Sequence, residues 1–174
     1  MNDSKMDEHK YVINLLPYHL AIKDFDYNAV VDWATDRVSK GHETEGILML
    51  ATFSKPVSTY EIKPYIRAYL REQKLEEVEG ELAFFALIRY YMYEILDGRE
   101  IRKVIKGLYD LYFHEEQFGQ GKDLGLVEFY LLQHAWDDLQ FAQLTYYYEN
   151  ATLENISSIC KEKAQEWLEK YGEK

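Results

Sequence analysis

Only three prolines and nine glycines interrupt 174 residues, and between these breaks apolar residues recur at spacings of three and four rather than two. That rhythm follows the turn of an α-helix and not the alternation of a half-buried strand. The chain is therefore expected to be all-α, with about seven or eight helices. Sheet stays open only for Tyr11 to Leu16.

The first helix is expected to start near Asp26, a good N-cap, to carry Val30, Val31, Ala34 and Val38 on one side, and to end at Gly41. Thr44 to Phe53 reads as a short buried helix. Ser58-Thr-Tyr-Glu61 has the capping-box pattern, followed by an apolar face of Ile62, Ile66, Tyr69 and Leu70. Pro64 would sit inside that helix, so either its first turn is separate or it bends there. Leu82 to Leu96 is apolar nearly all the way round, which predicts a central helix buried on several sides.

Asp97-Gly98 breaks that run, and Asp97 with Glu100 can cap a helix whose Ile101, Val104, Ile105, Leu108 and Tyr112 form one stripe. Phe118 to Lys122 reads as a loop. Asp123 can cap a helix running to about Gln140, with a further short segment continuing to Tyr148. Thr152 should cap the last helix, with Ile156, Ile159, Cys160, Trp167, Leu168 and Tyr171 facing inward. Short connections favour antiparallel αα-hairpins within a single domain over 1–174, with 1–10 flexible. No residue pattern repeats across the helix pairs, so a repeat family is not supported.

One cysteine, Cys160, cannot form an internal disulfide, and Met1 to Lys10 is polar and charged; a cytoplasmic location is the expectation. No uncharged run approaches the ~18 apolar residues of a membrane span, so no membrane partner is expected. A net charge of −11 disfavours nucleic acid.

Little in the sequence points to catalytic chemistry. None of the five histidines follows a glutamate by three residues, and no His-Glu-x-x-His occurs, so the helical di-iron and zinc-protease patterns are absent. His134 and Asp138 share one helix face, with His114 or Glu115 as further candidate ligands, but two such residues at helical spacing are common; no metal or other cofactor is assigned. Gly119-Gln-Gly121-Lys122 lacks the P-loop's earlier glycine, since position 116 is Glu, and Asp123 replaces its Ser or Thr. Cys160 lies on an apolar stripe, where a thiol behaves as a small hydrophobe. No catalytic residue is assigned.

Two features remain. The helical wheel puts Glu128 and Asp138 on the arc that holds Leu124, Leu131, Ala135 and Leu139, while Arg89 stands alone in the apolar helix. A buried polar set of Arg89, Glu128, His134 and Asp138 is the expectation, with Arg89 pairing with one of the acids. Second, from Gly107 to Cys160 a single cation, Lys122, meets nine acids, and eleven aromatic residues lie in the same window. By contrast Lys63, Arg67, Arg71 and Lys74 can form one basic stripe, and Arg99, Arg102, Lys103 and Lys106 another.

An acidic surface set with tyrosine and tryptophan suits a basic protein partner, because carboxylates steer the encounter and rigid rings add contact area. The expected function is a non-enzymatic protein-binding module, in its sharpest form a bacterial immunity or antitoxin-like inhibitor of a basic partner. Candidate contact residues are Glu115, Glu116, Trp136, Asp137, Tyr146, Tyr147, Tyr148 and Glu149. A homo-oligomer is compatible with the bipolar charge. The alternative is an enzyme or small-molecule binder with a pocket around Arg89, Glu128, His134 and Asp138.

Overall fold

The computed structural model describes residues 13–22, 24–117, 124–142 and 144–172, the side chains of 114–117 excepted. The protein is all-α, with no strand among the described residues. Residues 1–10, the loop from Phe118 to Lys122, and Asp123 lie outside them. The chain divides into two compact units, Met1–Ala83 and Phe84–Lys174.

The first unit holds a 3-10 turn at Leu16–Tyr18, α1 (Tyr27–Ser39), α2 (Glu45–Ala51) and α3 (Thr59–Glu72). Asp26 caps α1 by accepting the Ala29 N–H at 3.1 Å, satisfying one of the donors that a helix start leaves without a partner. At the other end Gly41 takes φ +79°, and the chain turns back with His42 N–H bonded to the Arg37 carbonyl. Ser58 caps α3 through the Glu61 N–H. Pro64 is exposed inside α3, which runs as one helix, so the separate first turn is not needed.

The core of this unit joins Val30, Val31, Trp33 and Ala34 of α1, Ile47 and Leu50 of α2, and Ile62, Ile66, Tyr69 and Leu70 of α3. Each such large side chain contributes roughly 1.5–3 kcal/mol by leaving water. Trp33 and Tyr69 meet edge to face at 5.3 Å. Contrary to the sequence expectation, α2 is buried on one side only: Ile47 and Leu50 point inward, while Leu48 and Met49 stay exposed. Seven residues make too short a helix to be enclosed by its two neighbours. Glu72, at the end of α3, accepts from the Thr44 hydroxyl at 2.7 Å and the Gly46 N–H at 3.4 Å, placing a carboxylate at the positive end of α2.

Helix α4 (Gly80–Asp97) begins where the first unit ends, and the second unit adds α5 (Ile101–Gln117), α6 (Val127–Phe141) and α7 (Ile156–Tyr171). In α4 the buried residues Phe84, Leu87, Ile88, Tyr91, Met92 and Ile95 form one stripe, whereas Leu82 and Tyr93 are exposed. The helix expected to be enclosed on several sides thus buries a single face. Ile101, Val104, Ile105, Leu108 and Leu111 of α5 are buried, with Tyr112 half-buried at the edge of that stripe. A methyl group on Gly107 of α5 would stand 3.3 Å from the Tyr91 ring, so α4 and α5 approach closely there.

Helix α6 starts at Val127 after Leu126, which offers no side-chain cap. The segment expected to continue to Tyr148 is not helical; residues 144–155 run as turns. Thr145 and three consecutive tyrosines are weak helix formers, and the Thr145 hydroxyl takes the Tyr147 N–H at 3.3 Å, diverting it from a helical ladder. Thr152 does not cap α7 itself, whose N-cap is Asn155 with no side-chain cap bond; it closes the turn before the helix, where Thr152 N–H donates to Asn155 Oδ1 at 2.7 Å and Asn155 N–H to Thr152 Oγ1 at 3.3 Å. Ile156, Cys160, Ala164, Trp167 and Tyr171 are buried on α7, while Ile159 and Leu168 are half-buried. No helix among the described residues is long and apolar enough to cross a membrane.

Candidate functional site

Helices α5 and α6 pack on each other through rings. Tyr109 stacks on Tyr130 at 5.5 Å with planes 5° apart, and Tyr112 lies 4.7 Å from Tyr130. One turn further, His134 stands edge-on to Tyr130 at 4.7 Å and to Tyr109 at 5.5 Å. Its ring is thus packed as an aromatic, and among the described residues no group of three His, Cys, Asp or Glu side chains is placed to hold a metal ion.

The α6–α7 connection is tied to this surface at adjacent residues. Tyr147 approaches the His134 ring at 6.1 Å. The half-buried Tyr148 donates its hydroxyl proton to Glu128 in a short hydrogen bond, and burial, followed by the Glu128 bond and charge, pushes the phenol pKa far up. Tyr148 therefore stays protonated as a permanent donor. The Tyr148→Phe variant should leave Glu128 without that donor and lower stability by about 2 kcal/mol. A urea-unfolding midpoint unchanged from wild type would contradict this account.

Outside that anchor the connection is open. Phe141 is 86%, Leu144 69%, Tyr146 89%, Tyr147 51% and Leu153 54% exposed, and Glu149 and Glu154 are exposed beside them. The other predicted residues are placed differently. Trp136 and Asp138 are half-buried. Asp137 takes Arg102 Nη2 at 3.2 Å on one oxygen and Gln133 Nε2 at 2.9 Å on the other, so its charge is partly committed within the protein. Arg89 is half-buried on α4, and Glu128 is engaged by Tyr148. The side chains of His114, Glu115 and Glu116 lie outside the described residues. Cys160 is fully buried, and burial pushes its thiol pKa up to about 12.

A polar cluster that the sequence reading missed lies in the first unit. His19 is almost wholly enclosed; its Nε2 is 2.5 Å from Glu77 Oε2 and its Nδ1 is 2.9 Å from the Tyr27 hydroxyl. Arg67 donates from Nε to the other Glu77 oxygen, and Val78 N–H bonds the Pro17 carbonyl at 3.0 Å. Burial lowers the His19 pKa despite the attraction of Glu77. Burial also lifts the Glu77 carboxyl, but hydrogen bonds from Arg67 and His19 outweigh it and hold the pKa below the usual value. A neutral His19 facing a carboxylate must donate from Nε2, so Nδ1 accepts the Tyr27 proton. Burial, with the Glu77 charge second, raises the Tyr27 pKa and keeps that proton in place. Both imidazole nitrogens are committed, which makes the cluster a fastener between the residue 17–19 turn and the segment after α3. The only signal in the sequence was a histidine inside the apolar stretch from Ile13 to Ile22.

No protein-family model, curated protein or solved structure matches the chain.

Proposed function

We propose that the protein is a non-enzymatic binding module that engages a basic protein partner through the connection between α6 and α7. One observation carries this reading: Phe141, Leu144, Tyr146, Tyr147 and Leu153 are all more than half exposed within a short stretch. Large apolar side chains scattered singly over a surface need no explanation, but a concentration in one connection does. Glu149 and Glu154 lie in the same stretch, within a window whose net charge is −8 over 54 residues, one cation against nine acids. Such a surface attracts cationic partners over distance and rejects anionic ones at contact. Because Tyr148 is anchored on Glu128 and Tyr147 rests one face near His134, the segment that presents Tyr146 has less ordering left for binding. The sharpest form of the proposal is an immunity or antitoxin-like inhibitor of a cationic toxin or nuclease.

The test is affinity capture from native lysate with wild type, a Tyr146→Ala/Tyr147→Ala variant and a Glu149→Lys/Glu154→Lys variant, followed by mass spectrometry and titration with the purified partner. The expected partner is basic, and removal of the two rings weakens it by about 30-fold, the size of one interface hot spot. Charge reversal should slow association and remove its salt dependence. Partners retained equally by all three proteins, or no saturable partner at all, would refute the proposal.

A further inference from the structure

The second unit also contains a depression of about 480 Å³ lined by Glu100, Arg102, Lys103, Lys106 and Gln133. That volume lies within the roughly 300–1,000 Å³ typical of small-molecule sites. Three cations and one carboxylate surround it, in a chain that otherwise carries a strong negative excess. Arg102 and Lys103 follow one another on α5 with Lys106 one turn on, so several N–H donors can converge on one anionic group. Arg102 pairs with Asp137 at 3.2 Å and Lys106 with Asp110 at 3.3 Å, and Lys103 reaches Glu100 at 3.4 Å among its contacts, all with the cation's side chain 46% or more exposed. Exposed pairs of this kind give way readily to a more highly charged ligand.

Gln133 supplies the second, independent observation. It is 7% exposed, and its Nε2 donates to Asp137 at 2.9 Å. That bond fixes which way the amide faces, because a carboxylate cannot donate to the amide oxygen. Oε1 is consequently buried with no hydrogen-bond partner among the described residues. A carbonyl oxygen in that position lacks only an O–H or N–H donor, and because Gln133 lines the depression, a ligand seated there can supply one.

We propose that this depression binds a small phosphate ester bearing free hydroxyl groups, with the phosphate held by Lys103, Lys106 and Arg102 and a hydroxyl donating to Gln133 Oε1. A compact dianion gains from several lysine and arginine donors at once, which a neutral sugar cannot do. None of the lining residues belongs to the α6–α7 connection, so the proposal does not depend on a protein partner there.

Calorimetric titration of the full chain with ribose 5-phosphate, inorganic phosphate and ribose tests the assignment. Ribose 5-phosphate should bind one to one and more tightly than inorganic phosphate, with ribose giving no heat. Lys103→Gln/Lys106→Gln should weaken ribose 5-phosphate by about tenfold or more, the loss of a charge-assisted contact. Gln133→Leu should leave inorganic phosphate unchanged and abolish the preference for the ester. Because that variant alters a buried position, the Gln133 side-chain amide resonance is also followed in the wild type, where it should shift with ribose 5-phosphate and not with inorganic phosphate. Equal binding of ester and inorganic phosphate, binding that survives the double lysine variant, or no binding at millimolar concentration would each overturn the proposal.

Discussion

The Gly125→Ala variant is expected to lose about 3 kcal/mol of stability, from backbone strain and overpacking together. Gly125 has φ +71°, where a β-carbon is strained, and that carbon would stand 2.6 Å from the Tyr171 ring and 3.0 Å from Trp167 Nε1. Neither ring can retreat cheaply. Both are buried, and Trp167 is held by its indole N–H, which donates to the Leu124 carbonyl at 2.8 Å. The added methyl group therefore works against the joint between the entry to α6 and the end of α7. Gly41→Ala is the control: it has φ +79° but nothing within 4 Å of the added carbon, so only the backbone cost of about 1 kcal/mol applies. Urea unfolding followed by tryptophan fluorescence measures both. Equal losses in the two variants would show that the close contact with Trp167 and Tyr171 carries no energy.

Glu77→Leu should destabilise the first unit by about 2–3 kcal/mol, because the buried Nε2–H of His19 is left with no acceptor. The exposed Arg67 simply returns to water. The same cluster sets a pH dependence whose sign follows from linkage. The folded-state pKa of His19 lies below its ordinary value of 6.5, so as pH falls through about 6.5 the unfolded chain takes up a proton that the folded chain resists, and stability drops. Glu77, whose folded-state pKa lies below 4.5, stabilises the fold above that value and loses its contribution as pH falls further through the folded pKa. The wild type should therefore weaken from about pH 7 to pH 5, and His19→Gln should flatten that part of the curve. A wild-type profile that is flat there, or rises toward acid, would contradict the assignment of a neutral His19.

The helices were legible where local chemistry decides them. Asp26 and Ser58 are caps whose side chains bond the backbone N–H three residues on, and such bonds need nothing from the rest of the chain. The stripe from Ile101 to Leu108 was equally plain, since its period fixes which side is buried. Reading failed where the neighbours decide. Leu82 to Leu96 is apolar on most sides, yet how much of it is covered depends on how many elements reach it, and Leu82 and Tyr93 remain in water. Tyr146, Tyr147 and Tyr148 are identical in type and differ only in what faces them: one carboxylate on α6 takes the third and leaves the first outside. His19 and Glu77 are 58 residues apart, and no local pattern distinguishes Glu77 from Glu76 or Glu79, which stay exposed. The Arg102–Asp137 contact joins two helices, so a wheel of either helix alone could not show it.

The burial of Cys160 makes the protein its own gauge of local opening. With the thiol enclosed on the inner side of α7 and its pKa raised to about 12, a thiol reagent meets neither access nor thiolate while that helix is docked. Alkylation must then wait for α7 to lift, and with one cysteine in the whole sequence every modified molecule records a single event at a known place. The labelling rate, compared with that of the unfolded chain, gives the free energy of opening for the helix that carries Trp167 and Tyr171.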